Sequence, residues 1–242
     1  MSTWLLVAAA ALWGAAAGAL LPRAAYRFSA PAGEPWRQTC PDGGHPVRGW
    51  LGRGRCALCP QSYGPPAALL SLVTALVCAA LAAATGTRPE IGVWLLLAPV
   101  GVLLAVVDLK VQRLPDPLTL PFAAAALVLL GAMSFVPEHT GDWPHAALGA
   151  LALGGGYFVL FLINPAGMGF GDVKLALGVG AVLGWYGWPT VMLGTFAGFL
   201  LGALYGGALI VVHKAGRKTA IAFGPFLIMG AFLGVLIGAY AA

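Results

Sequence analysis

Charged side chains are scarce in this chain. Only 9% of its 242 residues are Asp, Glu, Lys or Arg, and eight of these are acidic, whereas a soluble domain carries roughly 25% charged residues. With 60% hydrophobic residues and a mean hydropathy of +0.89, the composition excludes an ordinary soluble domain and predicts an all-α polytopic membrane protein. The net charge of +5 follows from where the basic residues lie around the membrane segments, so no nucleic acid partner is expected.

Long polar stretches are also few, and they separate apolar runs of nearly membrane-spanning length. Eight such runs predict eight transmembrane helices, of which the sixth is short: 3–21, 66–85, 91–107, 118–135, 145–163, 173–187, 190–212 and 221–240. One soluble-looking insertion breaks the pattern. It divides the chain into a first transmembrane helix at 1–21, a cytoplasmic loop at 22–65 and a membrane bundle at 66–242.

All lysines and arginines except Arg88 fall in alternate loops of this scheme, or directly beside them. Arg23 is the first, and it follows the first apolar run. By the positive-inside rule, the N-terminus therefore lies outside and these loops lie in the cytoplasm. The predicted cytoplasmic loops are 22–65, 108–117, 164–172 and 213–220.

Glycine recurs every four residues in the last two apolar runs. The positions are Gly194, Gly198, Gly202 and Gly206 in the seventh run, and Gly230, Gly234 and Gly238 in the eighth. Small residues at this spacing let helix backbones approach closely in membranes. We therefore interpret both stripes as helix packing surfaces.

Two aspartates stand at the ends of apolar runs on the same predicted side. Asp108 follows the third run, and Asp172 follows two alternating glycines, Gly169 and Gly171, at the start of the sixth. A lone aspartate at a membrane interface is more often a helix cap or a solvated residue than a functional group. These glycines exceed what a cap requires, and they would free the backbone and let an extended substrate come close.

Neighbouring carboxyl groups support hydrolysis, because one holds a proton near neutral pH while the other accepts one. The ionised partner takes a proton from a water that attacks a peptide carbonyl, and the protonated partner donates to the carbonyl oxygen. Either Asp108 or Asp172 can take either part. Asp116, in contrast, precedes Pro117, and we interpret it mainly as a helix N-cap followed by proline at the first helical position.

Three segments together resemble the type IV prepilin peptidases, which are GxGD-type membrane aspartyl proteases. In order, they are Asp108-Leu109-Lys110-Val111-Gln112-Arg113-Leu114-Pro115-Asp116, Gly167-Met168-Gly169-Phe170-Gly171-Asp172-Val173-Lys174-Leu175 and Ile221-Ala222-Phe223-Gly224-Pro225-Phe226. The resemblance implies that Asp108 and Asp172 are the catalytic pair and that the peptidase step needs no cofactor. We include Gly169, Gly171, Lys174 and Asp116 as residues that shape the site or bind substrate.

The same resemblance implies a multi-pass protein of the bacterial inner membrane with its active site facing the cytoplasm. The implied substrate is the short basic leader of a prepilin or pseudopilin, which is cut just before the apolar helix of the mature chain. Many members of this family also methylate the new N-terminus with S-adenosylmethionine. That second activity is associated with the loop after the first segment.

This loop usually carries two CxxC pairs that bind zinc in the family. Here Cys56 and Cys59 form one pair, but Gly43 stands where the partner of Cys40 would be. Three thiolates and one imidazole also bind zinc, so Cys40, His45, Cys56 and Cys59 are a candidate set. A decayed site, whose free cysteines stay reduced in the cytoplasm, is the alternative.

A secondary transporter or channel is the main alternative function, because intramembrane acids, broken glycine-rich helices and basic inner loops occur there too. Transporters place such acids near the midplane, and no Asp or Glu falls inside a predicted span. A presenilin-like intramembrane GxGD protease would share the aspartate pair, but the cysteine-bearing loop and Leu114-Pro115-Asp116 favour the prepilin branch. A non-enzymatic membrane scaffold is the remaining alternative.

Overall fold

The computed structural model describes residues 3–165, 167–213 and 222–242. In these ranges the chain forms eight α-helices, with β-structure limited to two isolated bridges in the loop after the first helix. The helices are α1 (Thr3–Phe28), α2 (Ala67–Thr85), α3 (Ile91–Val111), α4 (Asp116–Met133), α5 (Trp143–Ile163), α6 (Phe170–Gly184), α7 (Trp188–His213) and α8 (Gly224–Ala241). The predicted all-α membrane fold is confirmed. Seven helices are long and apolar enough to cross a bilayer, and α6 is the short one with 15 residues.

α1 and α3 continue by a turn or more past the ends of the apolar runs that predicted them. α1 continues past position 21, through Pro22, to Phe28. α3 continues to Val111 and ends where Gln112, with a left-handed φ of 50°, donates its N–H to the carbonyl of Asp108 at 2.8 Å. The expectation that no acid falls inside a span is therefore wrong for Asp108, because backbone hydrogen bonding, and not hydropathy, decides where the helix ends.

Glycine lets neighbouring helices touch along their backbones. A Cβ on Gly230 of α8 would overlap the carbonyl of Gly194 in α7 and lie 2.7 Å from the backbone nitrogen of Gly198. A Cβ on Gly149 of α5 would lie 2.5 Å from the carbonyl oxygen of Gly180 in α6. The packing interpretation of the glycine stripe is confirmed at the α7–α8 contact.

The short helix α6 lies inside the bundle. It packs against α4, α5, α7 and α8, and Leu175, Ala176, Ala181 and Leu183 are fully buried. In its first turn Asp172 and Val173 are also buried, whereas Phe170 is exposed.

The functional candidates share one end of the bundle. Because the helices alternate in direction, the end of α3, the start of α6 and the 29–66 loop lie together, and we call this the site end. Arg113 after α3 donates to the carbonyl of Pro31 in the loop at 2.9 Å. At the opposite end, Arg88 donates to the carbonyl of Ala239 at 2.7 Å. The predicted loop 213–220 falls, apart from its first residue, outside the described residues.

Candidate active site

Asp108 lies in the last turn of α3, and only 4% of its surface is exposed. The backbone N–H of Gly224, in the first turn of α8, donates to its Oδ2 at 3.0 Å. A Cβ on Gly224 would lie 2.7 Å from that oxygen, which is too close for any side chain. Glycine at the start of α8 therefore allows the positive end of the helix dipole to approach the carboxyl group.

Asp172 lies in the first turn of α6 and is 7% exposed. The N-cap of this helix is Gly169, whose carbonyl accepts the N–H of Asp172 at 3.0 Å. The N-cap residue makes no side-chain capping bond. Asp172 thus lies inside the helix instead of capping it.

The structure brings the two predicted aspartates together. Their carboxyl groups interact electrostatically, although they come from helices far apart in the chain. The side chain of Leu114 lies against Gly171, the neighbour of Asp172, and Gly224, which binds Asp108: a Cβ on Gly171 would be 2.8 Å from its Cβ and a Cβ on Gly224 would be 3.3 Å from its Cδ1. Leu114 therefore packs the turn after α3 against the starts of α6 and α8.

Close packing, and not backbone freedom, explains Gly171. Neither Gly169 nor Gly171 has a positive φ, so the backbone angles at these two positions do not require glycine. Gly171 leaves room for Leu114. At Gly169 a Cβ would make an ordinary contact of 3.4 Å with Asp172 Oδ2.

Asp116 and Lys174 form an ion pair next to the aspartates. Lys174 Nζ donates to Asp116 Oδ1 at 2.6 Å, and it also lies 5.0 Å from the ring centre of Phe170. The N-cap interpretation of Asp116 is wrong, because the cap position belongs to Pro115 and the Asp116 carboxylate reaches α6 instead. An exposed pair of this kind contributes about 0–1 kcal/mol, so its main effect is to tie the first turns of α4 and α6 together.

The loop of the site end brings its predicted metal ligands into one cluster. The candidate donor atoms of Cys40, His45, Cys56 and Cys59 all lie within 4.8 Å of one another. His45 Nδ1 is 3.7 Å from the sulfurs of Cys40 and Cys56 and 3.2 Å from that of Cys59, and the Cys40 and Cys59 sulfurs are 3.7 Å apart. Zn–S and Zn–N bonds of about 2.3 and 2.1 Å give tetrahedral edges of about 3.6–3.8 Å. Three of the four separations match these edges, and the separation of His45 Nδ1 from the Cys59 sulfur is shorter.

The thiols of this cluster differ in acidity. A hydrogen bond from the backbone of Gly43 is the main reason why the pKa of Cys40 falls to about 6. Burial, followed by hydrogen bonds among the neighbouring thiols, raises the pKa of Cys59 to about 12. A cation among these sulfurs would stabilise the thiolates that crowding otherwise disfavours.

Comparison with known proteins shows that both aspartates lie in the part of the chain that matches a protein family. The sequence profile of the type IV leader peptidase family matches residues 95–207. The prepilin leader peptidase/N-methyltransferase of Aeromonas salmonicida is 35% identical over 224 residues, which cover 84% of this chain and 72% of the relative. The proteins of the same name from Aeromonas hydrophila and Pseudomonas aeruginosa are 36% and 31% identical, with 72% and 71% of their lengths and 84% and 82% of this chain covered.

The chain belongs to the type IV leader peptidase family. This confirms the resemblance seen in the sequence, and it disfavours the transporter, channel and scaffold alternatives. No solved structure matches the chain.

Two residues of this leader peptidase site were not among the sequence candidates. Gly224 could have been found, since it lies in the third segment that resembles the family. Tyr157 could not, because a tyrosine within an apolar run has the appearance of a core residue. It is 2% exposed and interacts electrostatically with Asp172.

An apolar groove opens beside the aspartates of this family member. It has a volume of about 400 Å³ and lies between α2, α3 and α8. Leu109 and Pro225, the chain neighbours of Asp108 and Gly224, line one part of it. An apolar segment lying in this groove would therefore reach the edge of the site.

Proposed function

We propose that this chain is a membrane-embedded aspartyl endopeptidase that removes the leader of a prepilin or pseudopilin, with Asp108 and Asp172 as its catalytic pair. One observation carries the assignment of the pair. Two buried carboxyl groups, from helices remote in sequence, meet at one end of the bundle in a chain of the leader peptidase family. Buried acids that interact in this way are typical of catalytic sites.

The two aspartates and a water carry out the proton transfers and the bond formation. One carboxylate takes a proton from the water, whose oxygen bonds to the carbonyl carbon, while the protonated partner donates to the carbonyl oxygen. The tetrahedral intermediate then breaks its C–N bond, and the leaving amine takes a proton. Because the carboxyl groups interact, they share their protons as a pair.

The surroundings of the pair suit the substrate of this family. The apolar groove next to Asp108 offers the apolar helix that follows the cleaved bond a place to lie, within the bilayer. We place the site end on the cytoplasmic side of a bacterial inner membrane, because the basic residues concentrate there.

Single substitutions at each aspartate test the catalytic pair. Asp108→Asn and Asp172→Asn keep the side-chain shape but remove the transferable proton, so cleavage of a co-expressed prepilin should fall about 10⁴-fold or more. Cleavage is read from the size shift of the pilin, and membrane levels of the enzyme are measured alongside. Asp142→Asn, at the exposed opposite end, is the matched control and should cleave normally. Full cleavage by either aspartate variant would show that this aspartate is not part of the mechanism.

We also propose that the loop of the site end binds zinc through Cys40, His45, Cys56 and Cys59. The distances between the donor atoms support this, and the set of three sulfurs and one nitrogen is one that zinc accepts. A closed set of four ligands leaves no position for a substrate, so the ion would hold the loop together. The names of the relatives support N-methylation with S-adenosylmethionine as a second activity, which transfer of a labelled methyl group to the cleaved pilin would test.

A further inference from the structure

The hydroxyl of Tyr157 is a buried donor without a partner. The side chain is 2% exposed, and its oxygen makes no hydrogen bond to any described residue. Its ring is fixed, with centres 5.7 Å from that of Phe199 and 6.0 Å from that of Phe223. Buried hydroxyl groups are nearly always hydrogen-bonded, so one that is not requires an explanation.

Two observations relate this hydroxyl to the aspartate pair. It interacts electrostatically with Asp172, and the ring packs on Phe223, the residue before the Gly224 N–H that binds Asp108. The other buried side-chain donors without partners among the described residues are Nε of Arg23 and Arg27, whose guanidinium groups bind the 29–66 loop through another nitrogen, and two groups far from the pair. Thr85 and Trp185 are at the opposite end of the bundle from the pair, at the ends of α2 and α6.

Packing also decides what this tyrosine can do. α5 meets α6 through Gly149 and Gly180, and the phenol ring packs against two phenylalanines, so packing confines the ring. An oxygen that gains negative charge is stabilised best by a hydrogen-bond donor that is already in position and has no other partner in the free enzyme. A donor already bonded to protein would first have to release its partner.

We propose that Tyr157 is a further catalytic residue, which donates a hydrogen bond to the carbonyl oxygen of the scissile peptide bond. The bond strengthens as that oxygen becomes negatively charged in the tetrahedral intermediate. The hydroxyl keeps its own proton throughout, and the proton that the oxygen receives comes from the aspartate pair. The inference rests on the proposed peptidase function, and it adds to that function the group that stabilises the intermediate.

The test compares Tyr157→Phe with the wild-type enzyme in membranes, with a purified prepilin as substrate. Loss of one such donor lowers kcat about 100-fold, while KM should stay within about twofold because the bond forms fully only in the intermediate. The thermal midpoint should be unchanged or higher, since no hydrogen bond is lost and a buried polar group is removed. Tyr186→Phe is the matched control: it removes a hydroxyl that accepts from Trp94 at 3.2 Å at the far end of α6, and it should leave kcat unchanged.

A second variant keeps the test decisive if phenylalanine disturbs the fold. Incorporation of 3-fluorotyrosine at position 157 retains the ring and makes the hydroxyl a stronger donor, so kcat should be at least that of the wild type. A Tyr157→Phe enzyme with wild-type kcat, or with a raised KM alone, would overturn the proposal. Failure of the wild type to cleave prepilin would instead overturn the peptidase function itself.

Discussion

His45 occupies the space that a cysteine side chain at position 43 would fill. A Cβ on Gly43 would lie 2.5 Å from Cε1 and 2.7 Å from Nδ1 of His45, and 3.1 Å from the sulfur of Cys59. A cysteine at 43 and the imidazole in its present place therefore exclude each other. We therefore interpret the missing thiolate of the family pattern and the presence of His45 as one exchange, which would keep four donors for the proposed zinc ion.

Metal content tests this exchange. Purified wild type should hold about one zinc per chain, because the four donors form a complete set, whereas His45→Ala and Cys56→Ser should lose it. Elemental analysis gives the ratio, and Cys78→Ala, which removes a thiol buried in α2 outside the cluster, should keep the metal.

A paired substitution makes the same test stricter. Gly43→Cys alone should lower zinc content by displacing His45, and Gly43→Cys combined with His45→Ala should restore it through four thiolates. A wild type without zinc would rule out the metal site, and an additive loss in the double variant would rule out the exchange.

The individual residues of the site were predictable to different degrees. Asp108 and Asp172 were predictable, because acids are rare in this apolar chain and both stand at the ends of apolar runs. The ion pair of Asp116 with Lys174 was not predicted. An aspartate followed by a proline is the usual pattern of a helix N-cap, and the sequence does not distinguish such a cap from an aspartate that pairs with a distant lysine. The role of Tyr157 depends on which helices surround it, and no local pattern carries that information.

At the scale of helices, close backbone contacts determine how the site is assembled. α7 and α8 meet at Gly194 and Gly230, and α5 and α6 meet at Gly149 and Gly180. Lipid supplies no hydrophobic driving force between helices, so association depends on packing of this kind. The contact of α7 with α8 matters to the site because the first turn of α8 holds Asp108.

Widening the α7–α8 contact should destabilise the protein. Gly230→Ala places a methyl group against the backbone of Gly194 and Gly198, and overpacking of a tight contact costs about 1–3 kcal/mol. We expect a lower thermal midpoint in detergent, measured by loss of soluble monomer on heating. Gly155→Ala is the control, since a Cβ there meets nothing within 4 Å; its midpoint should hold or rise through better helix propensity. Equal midpoints for both variants would contradict the packing account.

The helices themselves were predictable from hydropathy, but their ends were not. Each of the eight apolar runs became a helix. Asp108 comes directly after the third run and is still helical, because the backbone hydrogen bonds of α3 continue until Gln112, which has a left-handed conformation. The arrangement of the helices, in which α6 packs against four others, depends on contacts between glycines of different helices. A single sequence does not show which glycines contact each other.

At the scale of the whole molecule, charge is distributed unevenly between the two ends. Among the described residues, the lysines and arginines lie at or near the site end, with the exception of Arg88. The opposite end holds Asp142 and Glu138, together with Glu90, which is fully buried and accepts a hydrogen bond from Thr140 at 2.7 Å. By the positive-inside rule, this asymmetry predicts that the site end faces the cytoplasm.

The orientation predicts where tags on the full chain will be found. Eight alternating helices place both termini on one side, so a periplasmic phosphatase fused after Ala242 should be active, because the positive-inside rule assigns that end to the outside. An epitope inserted after Gly33, where a Cβ would meet nothing within 4 Å, should be hidden from antibody in intact spheroplasts and appear after permeabilisation. Prepilin cleavage by both tagged proteins is the control for correct folding. An inactive phosphatase together with an accessible Gly33 epitope would mean that the aspartates face the periplasm, and that a leader retained in the cytoplasm could not reach them.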